Sequence, residues 1–278
     1  MKTILLDVGG TFIKCSDGRM IPVNSSGTRE EIASSLRQAV GQASSVAVAI
    51  PGPFDYKNGV FLMKHKFASV YGKSFADLLI PEGYALSGAS ALFLAEERAY
   101  PSEIKFMHDV NATLRGSLKM LELKNAVLVT LGTGLGFAYA IDGKVKENEA
   151  GSPARSIWNI SYGGGILEDH LSGRGLRTAY GRKTGDSSQS ALSISKKAYA
   201  GDEAALEVFS QAGALLGQVL SEVCEDLNPE TVLVGGQIAK SLSLMQRPFQ
   251  NALGDTPVRQ APEGAVYAGL EDLLKENN

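Results

Sequence analysis

ILLDVGGTFIK, at residues 4–14, is a strand-turn-strand pattern that the chain repeats at residues 127–139 as VLVTLGTGLGFAY. Each copy runs from apolar residues into a small turn of Gly and Thr, returns to apolar residues, and then reaches an Asp-Gly turn, at residues 17–18 and 142–143. Glycines let the backbone approach a ligand closely, and successive N–H groups in such turns form anion-binding sites. Two such hairpins facing each other predict a cleft that holds phosphates.

The composition is typical of a globular protein and excludes several functional classes. The 278 residues are 44% hydrophobic and 21% charged, and the length is enough for two lobes. Because 27 Lys and Arg stand against 30 Asp and Glu, the net charge is −3 and favours neither nucleic acid nor a membrane surface. No apolar run is long enough for a bilayer, and the first residues do not resemble a signal peptide. Cys15 and Cys224 are too few for a disulfide framework, which predicts a reduced, cytoplasmic protein.

Hydrophobic periodicity and turn residues predict alternating strands and helices. Predicted strands are Thr3–Asp7, Phe12–Ser16, Ser45–Ile50, Ile104–His108 and Thr231–Val234. Predicted helices are Thr28–Ala43, Ala89–Tyr100, Asn111–Leu123, Ile166–Tyr180, Ser193–Ala200, Glu203–Asn228, Ile238–Met245 and Ala265–Lys275. The segments Phe61–Tyr71 and Gly143–Gly165 are predicted to be loops, the first of them irregular and partly exposed.

Two carboxylates stand where ligands bind in α/β proteins. Asp7 lies beside the first Gly turn, where it could hold Mg²⁺ or its waters, and the alternative is an ordinary hairpin turn with a satisfied Asp. Asp109 follows a strand and precedes a helix, a position from which it could accept the proton of an attacking hydroxyl. The alternative for Asp109 is a helix N-cap.

Gly235 and Gly236 end a predicted strand and precede a predicted helix. The missing side chains there could leave room for adenine and ribose, although a plain strand-to-helix turn explains them as well.

Four motifs together resemble the ROK sugar kinases, a family of the actin/hexokinase/Hsp70-like ATPase superfamily. Their order and spacing carry the resemblance: Asp7–Thr11, Asp109-Val110-Asn111-Ala112, Gly132–Gly136 and Val232–Gly236. Three smaller features also match the family: Pro51-Gly52-Pro53, Leu167-Glu168 followed by Ser172-Gly173, and Gly264–Gly269. The resemblance therefore spans nearly the whole chain.

The resemblance implies an α/β fold with two ribonuclease-H-like lobes, each a mixed β-sheet flanked by helices, and a cleft between them. The expected lobes are residues 1–112, joined by the C-terminal helix 265–278, and residues 113–264. The implied activity is that of a glucokinase-like enzyme, which transfers the γ-phosphoryl group of ATP to a hexose or amino sugar, most simply at the 6-hydroxyl. ATP, Mg²⁺ and the sugar are the implied ligands, and a homodimer is the family expectation.

The same resemblance implies a role for each matching residue. Asp109 would be the general base. The residues implied for ATP and its phosphates are Asp7 (through Mg²⁺), Gly9, Gly10, Thr11, Lys14, Gly132, Thr133, Gly134, Gly235 and Gly236. The residues implied for the sugar are Gly52, His108, Asn111, Glu149 and Glu168.

The chain departs from the family on the sugar side. His108-Asp109 stands where many ROK proteins have Asn-Asp, and the usual Glu-x-Gly-His segment is replaced by Glu149-Ala150-Gly151-Ser152, without a His. The zinc-binding Cys motif is also missing, so we predict no zinc site. Candidates for a rebuilt pocket are Glu149, Arg155, His170 and Arg174.

Each remaining candidate has an ordinary structural alternative. His170 could be one face of a helix, and Arg155 could pair with a loop carboxylate. Lys64-His65-Lys66 could attract an anionic substrate or lie in a solvated loop. Trp158 could stack on a sugar ring or simply pack.

Two further functions remain open from the sequence. Some ROK relatives are repressors with a helix-turn-helix domain ahead of this fold, for which this chain, beginning at the first hairpin, leaves no room. A degenerate member that binds a sugar without turnover is the other alternative, which the missing His favours and which Asp109 and both hairpins oppose.

Overall fold

The computed structural model describes residues 2–80 and 100–276. All but the last residue of the predicted helix Ala89–Tyr100 lies outside the described residues. The chain divides into two compact units. The first unit comprises Met1–Gly116, Glu147–Ser152 and Gly264–Asn278, and the second comprises Ser117–Lys146 and Pro153–Glu263.

The described residues contain strands and helices that alternate along much of the chain. The strands are β1 Thr3–Val8, β2 Phe12–Cys15, β3 Met20–Pro22, β4 Ser45–Ile50, β5 Phe54–Asp55, β6 Val60–Phe61, β7 Glu103–His108, β8 Ala126–Leu131, β9 Leu135–Ile141, β10 Lys144–Val145, β11 Ser161–Tyr162, β12 Gly165–Ile166, β13 Thr231–Gly235 and β14 Val258–Gln260. The helices are α1 Arg29–Val40, α2 Phe75–Leu79, α3 Asp109–Leu121, α4 Glu168–Leu171, α5 Gly173–Thr184, α6 Ala191–Tyr199, α7 Glu203–Leu227, α8 Leu242–Leu253 and α9 Ala265–Lys275, with 3₁₀ turns at Ala68–Val70 and Ile238–Ser241.

The two units repeat one sheet topology. The strand order is β3-β2-β1-β4-β7 in the first and β10-β9-β8-β13-β14 in the second. In each, the first two strands pair antiparallel as a hairpin, while β1 and β8 pair parallel with β4 and β13 respectively. The repeat seen in the sequence is therefore a repeat of the sheet. These mixed sheets with flanking helices confirm the predicted α/β class.

The central strands are buried, as their apolar runs predict. Every residue of β4 and of β13 is buried, which is typical of a parallel strand covered on both faces. At the carboxyl end of β4, Pro51 has no N–H to donate to a neighbouring strand, so β4 ends at Ile50.

Helix ends follow standard capping chemistry. Thr28 caps α1 with a reciprocal bond from Glu31, a capping box. In the second unit, Asp202 caps the 25-residue helix α7, and Asn228 ends it in the left-handed conformation. None of the helices in the described ranges is both long and apolar enough to cross a membrane.

Helix α3, which Asp109 begins, is held in the first unit by a close crossing with α9. A Cβ added to Gly116 would collide with the Ala265 carbonyl, and one added to Gly269 would collide with the Ala112 carbonyl. Such contact between two backbones requires glycine on both helices. Arg115 reinforces the crossing through ion pairs with Asp272 and Glu276. The crossing therefore fixes the helix whose first residue is the candidate base.

The structure differs from the sequence predictions in several places. The segment 143–165, predicted to be a loop, contains β10, β11 and the first residue of β12, because antiparallel pairing with β9 and within the β11–β12 hairpin orders these short stretches. The segment at residues 61–71 is largely irregular, as predicted, but its apolar side chains Phe61, Met63, Phe67 and Val70 are fully buried. The helix predicted at 166–180 is two helices, α4 and α5, because Ser172 ends one and caps the other. The helix predicted from Ile238 begins as a 3₁₀ turn and continues as α8 through Pro248.

Candidate functional site

The first glycine turn, Gly9–Thr11, joins β1 and β2 in the first unit. The Gly9 N–H donates to the Phe12 carbonyl (2.9 Å), which closes the turn. Ser25 N–H donates to the Gly10 carbonyl (3.1 Å) and Val23 N–H to the Thr11 carbonyl (2.9 Å). Within residues 2–80 and 100–276, the N–H groups of Gly10 and Thr11 have no protein acceptor. The turn thus ties its carbonyls back and leaves two donors for an anion.

Asp7 and Lys14 face each other beside this turn. They are paired in the β1–β2 register, and the Lys14 ammonium donates to Asp7 Oδ2 at 3.1 Å. Burial raises the pKa of Asp7, the bond and charge of Lys14 lower it, and the charge of Asp109 raises it further. The Asp7 and Asp109 carboxylates therefore lie near enough to repel each other. Added positive charge at Asp7 would be favourable, as a Mg²⁺ site requires.

Asp109 lies at the carboxyl end of β7 and begins α3. Its Oδ1 accepts the Val110 N–H at 2.8 Å and lies 2.9 Å from His108 Nδ1. The Val110 N–H also lies 3.3 Å from His108 Nδ1, but this nitrogen cannot both accept that proton and donate one of its own. Its shorter contact with the carboxylate indicates that Nδ1 carries a proton and donates to Asp109. Burial alone would raise the pKa of Asp109, but the His108 hydrogen bond and charge, the Val110 N–H and the charge of Lys66 together lower it. With 37% of its side chain exposed, Asp109 is an ionised carboxylate open to a ligand.

Asn111, two residues after Asp109 in α3, is fully buried and contacts the segment Glu147–Ser152 of the same unit. Its amide donates to Glu147 Oε1 (2.9 Å) and to the Gly151 carbonyl (3.3 Å). Its Oδ1 has no hydrogen-bond partner in the described parts of the chain. Glu149, chosen from the sequence for the sugar, is exposed, and the carboxylate that reaches Asn111 is that of Glu147. The motif spacing pointed to Glu149 and contained no signal for Glu147.

Gly52 and Tyr56 form a wall next to His108. A Cβ on Gly52 would lie 3.3 Å from the Tyr56 hydroxyl and 3.6 Å from His108 Cδ2. The Tyr56 hydroxyl donates to the Ile50 carbonyl (3.1 Å), and its ring lies 5.8 Å from the His108 ring. Burial and the charge of Asp109 raise the pKa of Tyr56, so the phenol is neutral. Sequence reasoning missed Tyr56, which a search for polar aromatics next to Pro51-Gly52-Pro53 could have found.

The second glycine turn, Gly132–Gly134, joins β8 and β9 in the second unit. Gly132 N–H donates to the Gly134 carbonyl (3.1 Å), and the Gly132 carbonyl accepts the Gly173 N–H (2.8 Å) at the start of α5. A helix N-terminus carries partial positive charge and free N–H groups, which favour anions. A Cβ on Gly132 would meet nothing within 4 Å, so this turn is open.

Glu168 is placed against the second glycine turn. Its Oε2 accepts the Leu135 N–H at 3.0 Å and would lie 2.7 Å from a Cβ on Gly134. The residue predicted for the sugar therefore contacts the turn predicted for phosphate within this unit.

Gly235 and Gly236 are explained by packing. Gly236 has φ +84, and a Cβ there would collide with the Leu131 carbonyl. Gly235 is buried, and a Cβ on it would lie 3.3 Å from Thr130 Cγ2. The room left by Gly236 is thus filled by the end of β8, so these glycines do not by themselves indicate a nucleotide.

The remaining sequence candidates of the second unit lie in local pairs. His170 Nε2 lies 3.3 Å from the Tyr162 carbonyl, and the two rings meet edge to face at 4.9 Å. Arg174 pairs with Asp169 (2.6 Å) and Arg155 with Asp226 (3.5 Å), while Trp158 is exposed.

Where the family has its zinc loop, this chain forms the hairpin β11–β12. Across the described ranges, no cluster of three His, Cys, Asp or Glu side chains could hold a metal ion.

Comparison with known proteins identifies a family domain and a shared fold. The model of the ROK family matches residues 162–268. A ROK family glucokinase from Streptomyces griseus, solved with glucose and AMPPNP, superposes with a TM-score of 0.75 at 22% identity over 98% of both chains. A ROK family protein from Streptococcus pneumoniae TIGR4, solved with sucrose, gives 0.74 at 19% identity over 99% of this chain and 98% of that one.

The fold is also that of a regulator. A ROK family transcriptional regulator, a homologue of the Escherichia coli Mlc protein, superposes with a TM-score of 0.69 at 17% identity over 98% of this chain and 81% of that one. No curated protein sequence matches this chain. At these identities the structural likeness establishes the fold alone and does not identify the chemistry of this chain.

Proposed function

Because the chain carries a ROK family domain and has the fold of the ROK proteins, we propose that it is a sugar kinase. In this proposal the γ-phosphoryl group of ATP passes to a hydroxyl of a hexose, glucose or a related amino sugar, most simply the 6-hydroxyl. The proposal also includes Mg²⁺, a cytoplasmic location and a homodimer, as for the kinases that the sequence resembles.

The state of Asp109 is the observation that carries the proposal. A general base in phosphoryl transfer must be ionised, oriented and reachable by the acceptor hydroxyl. Asp109 is kept ionised by the groups that lower its pKa, oriented by His108 and the Val110 N–H, and partly exposed. A residue that served only as a helix cap would not need the His108 contact.

The two glycine turns support the nucleotide part of the proposal. The unpaired N–H groups of Gly10 and Thr11, with Gly9 shaping the turn, suit the phosphates in the first unit. In the second unit, Gly132, Thr133 and Gly134 present an open turn at the N-terminus of α5. Gly235 and Gly236 would border the adenosine through their backbone.

Asp7 and Lys14 are the residues that would hold Mg²⁺ and neighbouring phosphate oxygens. Bound Mg²⁺ supplies charge that neutralises the phosphates. Asp7 would hold the ion or its waters, and Lys14 would then share its charge between Asp7 and the phosphate.

The proposed sugar site combines residues predicted from the sequence with one that the structure adds. Two of these residues, His108 and Asn111, are neighbours of Asp109 in the chain, and Gly52 lies next to His108 in the first unit. We also include Glu168, as predicted from the sequence. For the segment 147–152, we propose Glu147 together with Glu149, because Glu147 is bonded to Asn111.

The reaction follows from these positions. The sugar hydroxyl donates its proton to Asp109 as its oxygen forms the new bond to phosphorus. The bond to the bridging oxygen breaks, and ADP leaves with that electron pair. His108 holds the carboxylate in place and stabilises it before the transfer. Exclusion of water prevents hydrolysis of ATP as a competing reaction.

Asp109→Asn tests the proposal. It keeps the shape of the side chain and removes the proton acceptor, so sugar-dependent ADP release should fall about 10³-fold while AMPPNP binding stays within about twofold. Asp77→Asn, an exposed carboxylate near the start of α2, is the matched control and should behave as wild type. Near-normal turnover by Asp109→Asn would exclude Asp109 as the base.

A second function, sugar binding without catalysis, is favoured by the shared fold of the regulator and by the missing His of the Glu-x-Gly-His segment. A coupled ADP-release assay over a panel of hexoses and amino sugars separates the two. Saturable sugar binding without sugar-stimulated ADP release would favour the binding function.

A further inference from the structure

Lys66 lies in the loop between β6 and α2, and two hydrogen bonds tie this loop to the first glycine turn. Phe67 N–H donates to the Ser25 carbonyl (2.6 Å), and Ser25 N–H donates to the Gly10 carbonyl (3.1 Å). Through these two hydrogen bonds, Ser25 links the backbone next to Lys66 to the turn that presents the Gly10 and Thr11 N–H groups.

The position of Lys66 is fixed by its neighbour. Phe67 adopts the left-handed conformation (φ 54), which is unfavourable for a bulky residue and persists only where the surroundings require it. Its side chain is fully buried, with the Phe61 ring 5.5 Å away. Burial of this ring in the hydrophobic core of the first unit holds the conformation. The loop thus has a defined path that brings Lys66 to the turn.

The side chain of Lys66 lies beside the turn, and its charge acts on the base. Its Cδ lies 3.8 Å from the point where a Cβ on Gly10 would be, and its charge contributes to the lowered pKa of Asp109. Within residues 2–80 and 100–276, no carboxylate lies within 4.0 Å of its ammonium.

The neighbouring lysines differ from Lys66 in their contacts. Lys14 is bonded to Asp7 at 3.1 Å, and Lys64 lies over the Tyr71 ring at 5.5 Å. Lys66 is half-buried beside a phosphate turn and its charge is not consumed by an ion pair. An ammonium in this place is suited to a phosphoryl group that lies between the turn and Asp109.

We propose that Lys66 is a catalytic residue that binds the phosphoryl group in transfer, resting on the kinase function proposed above. Its ammonium donates hydrogen bonds to non-bridging oxygens of that group and stabilises their charge while Asp109 takes the proton of the hydroxyl. Lys66 remains protonated throughout, so the proton, the new O–P bond and the departing ADP balance as already described. This role assigns a function to Lys66, one residue of the basic segment Lys64-His65-Lys66 that the motifs did not explain.

Nucleotide binding tests the contact without requiring turnover. Lys66→Met removes the charge at similar length, Lys66→Arg keeps it, and Lys64→Met is the matched control on the same loop. By titration calorimetry with Mg·AMPPNP and Mg·ADP, Lys66→Met should lose about tenfold or more in AMPPNP affinity and less than about twofold in ADP affinity. Lys66→Arg should recover most of the loss, and Lys64→Met should match wild type.

Steady-state kinetics supply the second readout. With a sugar that the wild type phosphorylates, Lys66→Met should lower kcat about 10²-fold with the sugar KM within about threefold, since a contact made in the transition state is lost. Equal changes in AMPPNP and ADP affinity, or an unchanged kcat with a raised sugar KM, would overturn the proposal. The latter result would make Lys66 a contact for an anionic group of the sugar.

The two proposals fail in different ways. If Lys66→Met lowers AMPPNP affinity but the wild type shows no sugar-stimulated ADP release, the kinase function is refuted and the phosphate contact is retained. An active wild type whose Lys66→Met variant keeps both kcat and AMPPNP affinity would refute the role of Lys66 alone. A wild type that binds neither nucleotide would refute both.

Discussion

The two glycine turns have the same topology and different surroundings. Both follow the first strand of a hairpin and precede the second, and both adjoin a parallel strand that ends near a glycine. Around the first turn lie Asp7, Lys14 and Lys66, two cations and an acid. At the second turn, Thr130 stands where the first copy has Asp7, the carboxylate of Glu168 packs on Gly134, and α5 begins.

Under the proposed function, this difference would give the two copies of the motif different roles. A turn surrounded by lysines and close to Asp109 suits a group whose negative charge changes during a reaction. A turn made of backbone N–H groups and a helix N-terminus suits phosphates that are held but not altered. The chain forms the same backbone turn twice, and the side chains around each copy give the two turns different electrostatic environments.

The largest effect on stability is expected at the ends of β4 and β13, the parallel strands next to the two turns. Gly236→Ala, in the second unit, places a Cβ on a left-handed residue against the Leu131 carbonyl, and the free energy of unfolding should fall by about 3 kcal/mol or more. Gly52→Ala, after the corresponding strand of the first unit, meets only side-chain atoms at 3.3 Å or beyond and should cost less than about 1 kcal/mol. Urea denaturation measures both. Equal costs would mean that the two strand ends are built alike.

Alanine substitutions in the turns themselves should separate ligand binding from stability. A Cβ on Gly132 meets no protein atom, so Gly132→Ala should leave stability within about 0.5 kcal/mol yet weaken AMPPNP binding about tenfold, because the Cβ occupies space that a phosphate needs. A Cβ on Gly10 meets Ser25 Oγ at 3.2 Å, so Gly10→Ala should also cost about 1 kcal/mol of stability. Calorimetry and thermal denaturation give the two quantities. Unchanged AMPPNP affinity in Gly132→Ala would remove the second turn from the phosphate site.

The smallest expected effect on stability is that of Asp7, the carboxylate that only the first copy of the strand-turn-strand motif has. Burial raises the pKa of Asp7, so the folded state binds its proton more tightly than the unfolded state. The stability contributed by this group is therefore full below the unfolded pKa and is lost as the pH rises through the raised folded pKa.

Asp7→Asn should accordingly raise the free energy of unfolding at pH 7 by less than about 1 kcal/mol, since the exposed Lys14 pair offsets part of the gain. The advantage should shrink as the pH is lowered towards 4, while Mg²⁺-dependent AMPPNP binding weakens at pH 7. Denaturation at the two pH values, with Lys14→Met as the control for the ion pair, measures the difference. A destabilised Asp7→Asn protein at pH 7 would show that the Lys14 pair outweighs the burial of the carboxylate.

Local sequence patterns were sufficient to predict the two hairpins and the position of Asp109. The apolar runs and Gly turns predicted β1, β2, β8 and β9, and the strand followed by Asp109 predicted a carboxylate at the end of β7. Such features depend on residues adjacent in the chain, where alternation, Pro and Gly act directly on the backbone. The resemblance to the ROK family rests on those segments together with Val232–Gly236, and it is confirmed by the family domain at residues 162–268 and by the shared fold.

Local patterns were insufficient where distant segments meet. Nothing next to Glu147 marks it as the carboxylate that bonds Asn111 in preference to Glu149. The basic and aromatic character of residues 61–71 predicted an exposed loop, but Phe67 is buried by contacts with other parts of the first unit. Both depend on packing between segments far apart in the chain, which periodicity does not encode.

The sequence by itself determined the repeated strand-turn-strand and the acid that follows β7, because each is a property of residue types at short spacing. Only the tertiary structure decided which charges surround each turn. It paired Lys14 with Asp7, brought Lys66 to Gly10, and set Glu168 against Gly134. The physical reason is that backbone geometry is set within a few residues, whereas the electrostatic environment of a turn is set by whichever side chains folding brings to it.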